Sequence, residues 1–271
     1  MNKKIGFIGC GNMAQSIIGG ILSSNLVDNT NIMSSNPTNN KLEYVKKQYN
    51  ILTTNNNIDV ANFSDILFLA VKPNKYTDVI SEIKDYVKQD VVIVSIAAGI
   101  TIESIEKHFI NNIKVVRTMP NTPCLVKEGM SAISFNSIVN YEEKNIILSI
   151  FESFGKAEVI DEKLMDVIPA VSGSSPAYVY MLIEALADGA VLQGMPRSQA
   201  YKFASQAVLG AAKTVLETGE HPGSLKDKVC SPGGTTIEAV YELEKNNFRD
   251  SIISAMQSCT KKAIEMSKKS C

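Results

Sequence analysis

The sequence predicts an α/β domain built on a doubly wound parallel sheet, followed by an all-helical domain. Three observations carry this expectation. A strand, a glycine turn and a helix follow one another over residues 4–22. Continuous apolar strands at residues 65–71 and 91–96 are separated by helix-like segments at 76–87 and 101–109. After about Leu164 the chain changes to long Ala-rich and Leu-rich runs. Strands that are apolar throughout, with no alternation, belong to a sheet covered on both faces. The expected division is 1–163 for the sheet domain and 164–271 for the helical one.

In the first unit, Lys4, Ile5, Gly6, Phe7 and Ile8 form a short apolar strand. It runs into Gly9, Cys10, Gly11, Asn12, Met13 and Ala14, then into the helix-periodic Ile17, Ile18, Ile21 and Leu22. This is the G-x-G-x-x-A form of the dinucleotide fingerprint, which makes the domain Rossmann-type. Gly9 permits the tight turn, Gly11 lets the backbone approach a pyrophosphate, and Ala14 packs the helix on the strand. Close helix packing alone would also explain the small residues, but the order of elements favours a nucleotide.

The second strand, around Ile32 and Met33, leads into Ser34, Ser35, Asn36, Pro37, Thr38, Asn39, Asn40 and Lys41. An NAD-specific domain would carry an acid here for the ribose 2′-hydroxyl. None is present, so a 2′-phosphate is tolerated, with Asn36 and Thr38 as donors and Lys41 as a source of charge. NADPH is therefore favoured, although no Arg is present to clamp the phosphate.

Ligands of such sheets lie beyond the carboxyl ends of the strands. The segments expected there are Val71-Lys72-Pro73, Ala97-Ala98-Gly99 and a loop from Arg117 to Pro123 that contains Asn121. Small side chains at Ala97 and Ala98 would let a nicotinamide lie close to the backbone. Lys72 is the one obvious charge at this edge and is read as a cofactor-side residue.

The second domain is expected to hold helices at residues 177–193, 197–217, 235–246 and 249–268, punctuated by Gly194-Met195-Pro196, by 219–223 and by 231–234. Residues 178–192 are apolar almost all the way round. A helix of that kind must be surrounded, and a domain of this size has difficulty surrounding one, so burial in a homodimer is expected.

Ser231, Pro232, Gly233, Gly234, Thr235 and Thr236 precede the helix-like Ile237 to Glu244. Glycines, hydroxyls and a helix start describe a place where backbone amides and the helix dipole favour a small anion, a carboxylate socket. The competing local reading is a capping box made by Thr235 and Glu238. That reading leaves Ser231, the glycine pair and the second threonine without a purpose.

Composition sets the outer limits. The chain has 271 residues, 45% of them hydrophobic, and a formal net charge of -1. It carries no basic patch for nucleic acid and no polybasic membrane anchor. No apolar run reaches bilayer-spanning length, and the first residues lack a signal-peptide core, so a cytoplasmic location is expected. Cys10, Cys124, Cys230, Cys259 and Cys271 are scattered, with only His108 and His221 to join them. Reduced thiols and no metal site are expected. Cys10 and Cys230 are read as packing residues.

Taken together, these blocks resemble pyrroline-5-carboxylate reductases. The match includes Ala70-Val71-Lys72-Pro73, Ala97-Ala98-Gly99, Met119-Pro120-Asn121-Thr122-Pro123, Ser172-Gly173-Ser174-Ser175-Pro176-Ala177-Tyr178, His221-Pro222-Gly223 and Ser231-Pro232-Gly233-Gly234-Thr235-Thr236. The resemblance implies NADPH-dependent reduction of 1-pyrroline-5-carboxylate to proline, with NADH often accepted. It also implies a helical domain that interleaves with its twin, in dimers that often assemble into rings.

The resemblance places Phe7, Ile8, Gly9, Cys10, Gly11, Asn12 and Met13 at the pyrophosphate. It puts Asn36 and Thr38 near the adenosine ribose, and Asn57 in a loop before the apolar strand. Ala70, Val71, Lys72, Pro73, Ile96, Ala97 and Ala98 flank the nicotinamide half, with Asn121 nearby. Many bacterial members end the second strand in Asn-Arg, whereas here Asn36 is followed by Pro37. Ser231, Gly233, Gly234 and Thr235 would hold the substrate carboxylate, and Thr236 would face the ring nitrogen as the catalytic residue. A cyclic imine is basic enough to carry its own positive charge, so no His, Cys or carboxylate pair is required. β-Hydroxyacid dehydrogenases share the fingerprint but need a Lys early in the interdomain helix, where residues 172–180 have none. A nucleotide sensor that had lost its chemistry would show damage at 231–236, which is intact.

Overall fold

The computed structural model describes residues 1–109 and 112–270. The strands are β1 (Ile5–Ile8), β2 (Ile32–Ser35), β3 (Leu52–Thr54), β4 (Ile66–Leu69), β5 (Val92–Ser95), β6 (Lys114–Met119), β7 (Gly129–Phe135) and β8 (Gly155–Val159). They form one sheet in the order β3-β2-β1-β4-β5-β6-β7-β8. Neighbours are parallel except for the antiparallel pair β6 and β7. The chain therefore reverses direction across the sheet at β1, and the crevice beyond the carboxyl ends of β1 and β4 is the expected ligand position.

Side-chain alternation explains why these strands must be covered twice. Phe68 points to the face that holds α1 (Asn12–Ser23) and α6 (Tyr141–Glu152), where Phe7, Ile17, Ile18, Ile21, Phe151 and Phe154 are buried. Leu67 and Leu69 point to the other face, toward α3 (Asn57–Phe63), α4 (Tyr76–Ile83) and α5 (Ile102–Glu106), with Val60, Ile80 and Ile105. Phe7 and Phe68 are register partners whose rings stack at 4.7 Å. Burying each such side chain contributes about 1.5–3 kcal/mol. The helix α2 (Asn39–Tyr49) follows β2 and ends at Asn50, which takes a left-handed conformation.

Three local expectations are corrected. Arg117, Thr118 and Met119 are the end of strand β6, not part of a loop, because Val115 and Val116 are core residues and the Arg117 guanidinium is paired with Glu162 and Asp166. Asn57 opens α3 instead of lying in a loop, since the Asn56 side chain accepts from the Ile58 amide at 2.9 Å and caps that helix. Residues 222 and 223 start a helix instead of breaking one. In α9 (Pro222–Val229), Pro222 sits at the first helical position, where its missing N–H is harmless, and the His221 ring accepts from the Gly223 amide at 3.0 Å.

The remaining helices are α7 (Ser175–Leu192), α8 (Arg197–Thr218), α10 (Thr235–Lys245) and α11 (Phe248–Ser270). Compact packing groups residues 1–174 with 259–271, and residues 175–258 separately. Within the second group α7 packs on α8, and only Ala187, Ala200 and Ala204 are buried. Tyr180, Met181, Leu186, Leu192, Phe203, Leu209, Leu216 and Tyr241 are all exposed on the single chain. Among the described residues, no helix is long and apolar enough to cross a membrane.

Candidate active site

The first candidate region is the turn between β1 and α1. Gly9 has φ 99°, and a Cβ there would lie 2.5 Å from the Ala70 carbonyl oxygen, so any side chain would force β1 and β4 apart. Gly11 is the N-cap of α1, with extended backbone and no side-chain cap. A Cβ at Gly11 would meet nothing within 4 Å. The leading amides of α1 thus open onto free space at the positive end of a helix whose Ala14, Ile17, Ile18 and Ile21 are buried, which suits a pyrophosphate. Gln15 Nε2 donates to the Cys10 carbonyl at 2.9 Å and braces the turn. Cys10 is buried, and burial pushes its thiol pKa up; the nearby Lys41 charge pulls it down by less. Met13 is half-buried, its sulfur 3.6 Å from Cys124 Sγ. Phe7 and Ile8 are core residues of β1, so what they can offer a ligand is backbone.

The end of β2 is the second region. Thr38 is the N-cap of α2, and its hydroxyl makes no cap bond, which leaves it open to a ligand. Asn36 is held through its backbone, its amide donating to Thr54 O and its carbonyl accepting from Asn55 Nδ2 at 3.1 Å. Its side-chain Nδ2 makes one long bond, 3.4 Å, to the Thr38 carbonyl, and among the described residues Oδ1 is left open. Asn57 behaves differently. Its Oδ1 accepts from Ser35 Oγ at 2.7 Å and its Nδ2 donates to Glu82 at 2.8 Å, so both ends of the amide already have partners inside the protein.

At the carboxyl ends of β4 and β5, Ala70 is anchored by its amide to the Ile8 carbonyl, and Pro73 starts a 3-10 turn, Pro73–Lys75. Lys72 is exposed and its ammonium has no partner among the described residues. Val71, Ile96 and Ala98 are half-buried and Ala97 is buried. Asn121 is buried, donating to Ser172 O at 3.0 Å and accepting from the Met130 amide at 2.8 Å. Its side chain is a brace for the turn into β7. Tyr76 shows no functional signal in the sequence beyond opening a helix, yet its hydroxyl bonds both Leu69 and Ser95 at these strand ends.

A further candidate region, in residues 175–258, is the entry to α10. Here the capping-box reading fails. Gly234 is the N-cap and Thr235 is already the first helical residue, so Thr235 cannot cap the helix. Gly233 has φ 65°. A Cβ at Gly234 would lie 2.3 Å from Ser231 Oγ, so the absence of a side chain lets the serine hydroxyl lie against the helix start. The Gly234 amide donates to the Ser231 carbonyl at 3.0 Å and closes the turn. The free donors are therefore the amides of Thr235 and Thr236, not that of Gly234. Among the described residues, the hydroxyls of Ser231, Thr235 and Thr236 have no hydrogen-bond partner. Three open hydroxyls and uncapped amides at a helix N-terminus are the chemistry that can accept a small anion.

A sheet whose strand order reverses at β1, with a glycine turn leading from β1 into α1, defines the class of dinucleotide-binding α/β proteins, here joined to a helical unit. Residues 4–99 match the family model described as NADP oxidoreductase coenzyme F420-dependent, and residues 162–266 match that described as pyrroline-5-carboxylate reductase dimerisation. The chain is 51% identical to pyrroline-5-carboxylate reductase of Escherichia coli over 268 residues, 99% of this chain and 100% of the relative. Among solved structures, that of the reductase from Coxiella burnetii superposes with a TM-score of 0.92 at 35% identity, covering 98% of this chain and 99% of the other. The reductase of Plasmodium falciparum, solved with NADP bound, gives 0.89 at 34% identity and covers 98% of each chain. The chain belongs to the pyrroline-5-carboxylate reductase family.

Proposed function

We propose that the protein reduces 1-pyrroline-5-carboxylate to L-proline with NADPH, NADH serving as a second donor, in the cytoplasm. The observation that carries this reading is the uncapped start of α10, with the free hydroxyls of Ser231, Thr235 and Thr236 beside the free amides of Thr235 and Thr236. A carboxylate there accepts charge-assisted hydrogen bonds and sits at the positive end of a helix. Ser231 and the Thr235 amide hold the carboxylate, Gly233 and Gly234 shape the turn, and Thr236 directs its hydroxyl at the imine nitrogen and fixes the ring face.

The residues of the first unit fit a dinucleotide: the space beside Gly11 takes the pyrophosphate, and Thr38 with Lys41 takes a 2′-phosphate, where no carboxylate would repel it. When bound, the reduced nicotinamide supplies the hydride that goes to the imine carbon. Thr236 keeps the protonated nitrogen oriented, and the product leaves as a secondary amine. No ionisable side chain has to gain or lose a proton in this scheme, which agrees with a socket built of hydroxyls and amides.

The exposed apolar residues of α7 and α8 support a homodimer formed through the helical domain, residues 164–271. Dimers closing into a ring are part of the same proposal. The decisive experiment follows oxidation of NADPH with and without pyrroline-5-carboxylate and identifies proline as product. Oxidation that does not depend on the imino acid, or none with it, would overturn the assignment.

A further inference from the structure

Tyr76 opens α4 and is 3% exposed, with its hydroxyl at the carboxyl end of the sheet. The phenol donates to the Leu69 carbonyl at 2.7 Å. A phenol has one proton to give, so the Ser95 hydroxyl, 3.0 Å away, donates to the phenol oxygen. The Ser95 carbonyl in turn accepts from Thr118 Oγ1 at 2.9 Å. The amides of Ile96 and Ala97 also face the phenol, while burial raises its pKa far above the ordinary range.

Leu69 and Ser95 are the last register pair of β4 and β5. One residue further the two chains become Ala70 and Ile96, the first residues of loops 70–73 and 96–98. Ring packing does not explain the hydroxyl, because phenylalanine fills nearly the same space and a buried O–H is unfavourable unless bonded. Its two bonds add a side-chain tie across the last register pair of the β4–β5 ladder, at the departure points of the two loops.

We propose that Tyr76 is a positioning residue whose hydroxyl, by tying Leu69 to Ser95, sets the spacing of loops 70–73 and 96–98 for the nicotinamide half of the dinucleotide. The proposal rests on the reading of those loops as nicotinamide walls, so the experiment includes a variant that tests that reading alone. In Tyr76→Phe, kcat falls about tenfold and NADPH binds about fivefold more weakly, the scale expected when reacting groups are held less tightly. Adenosine 2′,5′-bisphosphate, which fills only the adenosine half, keeps its affinity within about twofold. Ser95→Ala reproduces this pattern, and the double variant is no worse than either single one, because both break the same bond.

Unchanged kcat and NADPH affinity in Tyr76→Phe, or an equal loss of both nucleotides, overturns the clamp. Ala98→Leu serves as the control on the loop. If it weakens NADPH while Tyr76→Phe does not, the clamp alone falls. If Ala98→Leu leaves NADPH affinity unchanged, the wall reading falls and takes the clamp with it.

Discussion

α1 and α10 each start at a glycine with extended backbone and no side-chain cap, one or two residues after a glycine of positive φ. Their surroundings differ. Gly9 is wedged against the Ala70 carbonyl, and α1 buries Ala14, Ile17, Ile18 and Ile21 in the core of its own unit. A Cβ at Gly233 would meet nothing within 4 Å, and α10 has no buried residue. The same local pattern thus yields two uncapped helix starts whose rigidity comes from different sources: a completed core in one case, and in the other a short turn closed by the Gly234 to Ser231 bond. Preorganisation at the second site has to come from groups within that turn, or from another copy of the chain.

The largest test of this contrast is at the socket. Thr236→Ala is expected to lower kcat by about one to three orders of magnitude with little change in cofactor affinity, whereas Ser231→Ala should act mainly on the KM for the imino acid. Steady-state kinetics with both substrates varied would show it, and wild-type turnover in Thr236→Ala would remove that hydroxyl from the mechanism. Gly9→Ala comes next: the strained φ and the clash with Ala70 should destabilise the protein by about 1–3 kcal/mol and weaken NADPH. Gly233→Ala meets no neighbour and should show only the backbone strain, about 1 kcal/mol, so thermal denaturation of the pair measures how differently the two turns are embedded.

Leu186→Glu on α7 should weaken dimerisation by about 1–3 kcal/mol, seen as a monomer in sedimentation at micromolar protein, if that face is covered by a partner. The smallest effect belongs to Asp65. Partial burial raises its pKa, but the Lys4 amide at 2.8 Å and the Lys88 ammonium at 2.8 Å outweigh that and lower it below the ordinary 3.8. The carboxylate therefore stabilises the fold above pH 3.8, and this contribution is lost as pH falls through the lower folded value. Asp65→Asn should remove less than about 1 kcal/mol at neutral pH, because the pair is a third exposed, and should flatten stability against pH only in that acid range.

The central strands could be read from the sequence because burial on both faces leaves unbroken apolar runs, as in Ile66 to Leu69 and Val92 to Ser95. The far strands could not. β7 and β8 contain Gly129, Ser131, Ser134, Gly155, Lys156 and Glu158, and no residue of β8 is buried, so its pairing is held by ladder bonds that composition does not announce. At the site, both glycine turns were legible because each glycine has a local backbone reason. The commitments of Asn57 and Asn121 were not, since their partners Ser35, Glu82, Ser172 and Met130 lie 9 to 51 residues away. Tyr76 escaped for the same reason: the residues it ties together are 7 and 19 positions distant.

Three buried alanines in residues 175–258 also bear on how the chain reaches its final state. The sheet unit already encloses two apolar clusters within one chain, so a homodimer through the helical domain would make completion of the second interior depend on another chain. Refolding from denaturant should then show a fast first-order phase followed by one whose rate scales with protein concentration, and dilution should slow the second phase while sparing the first.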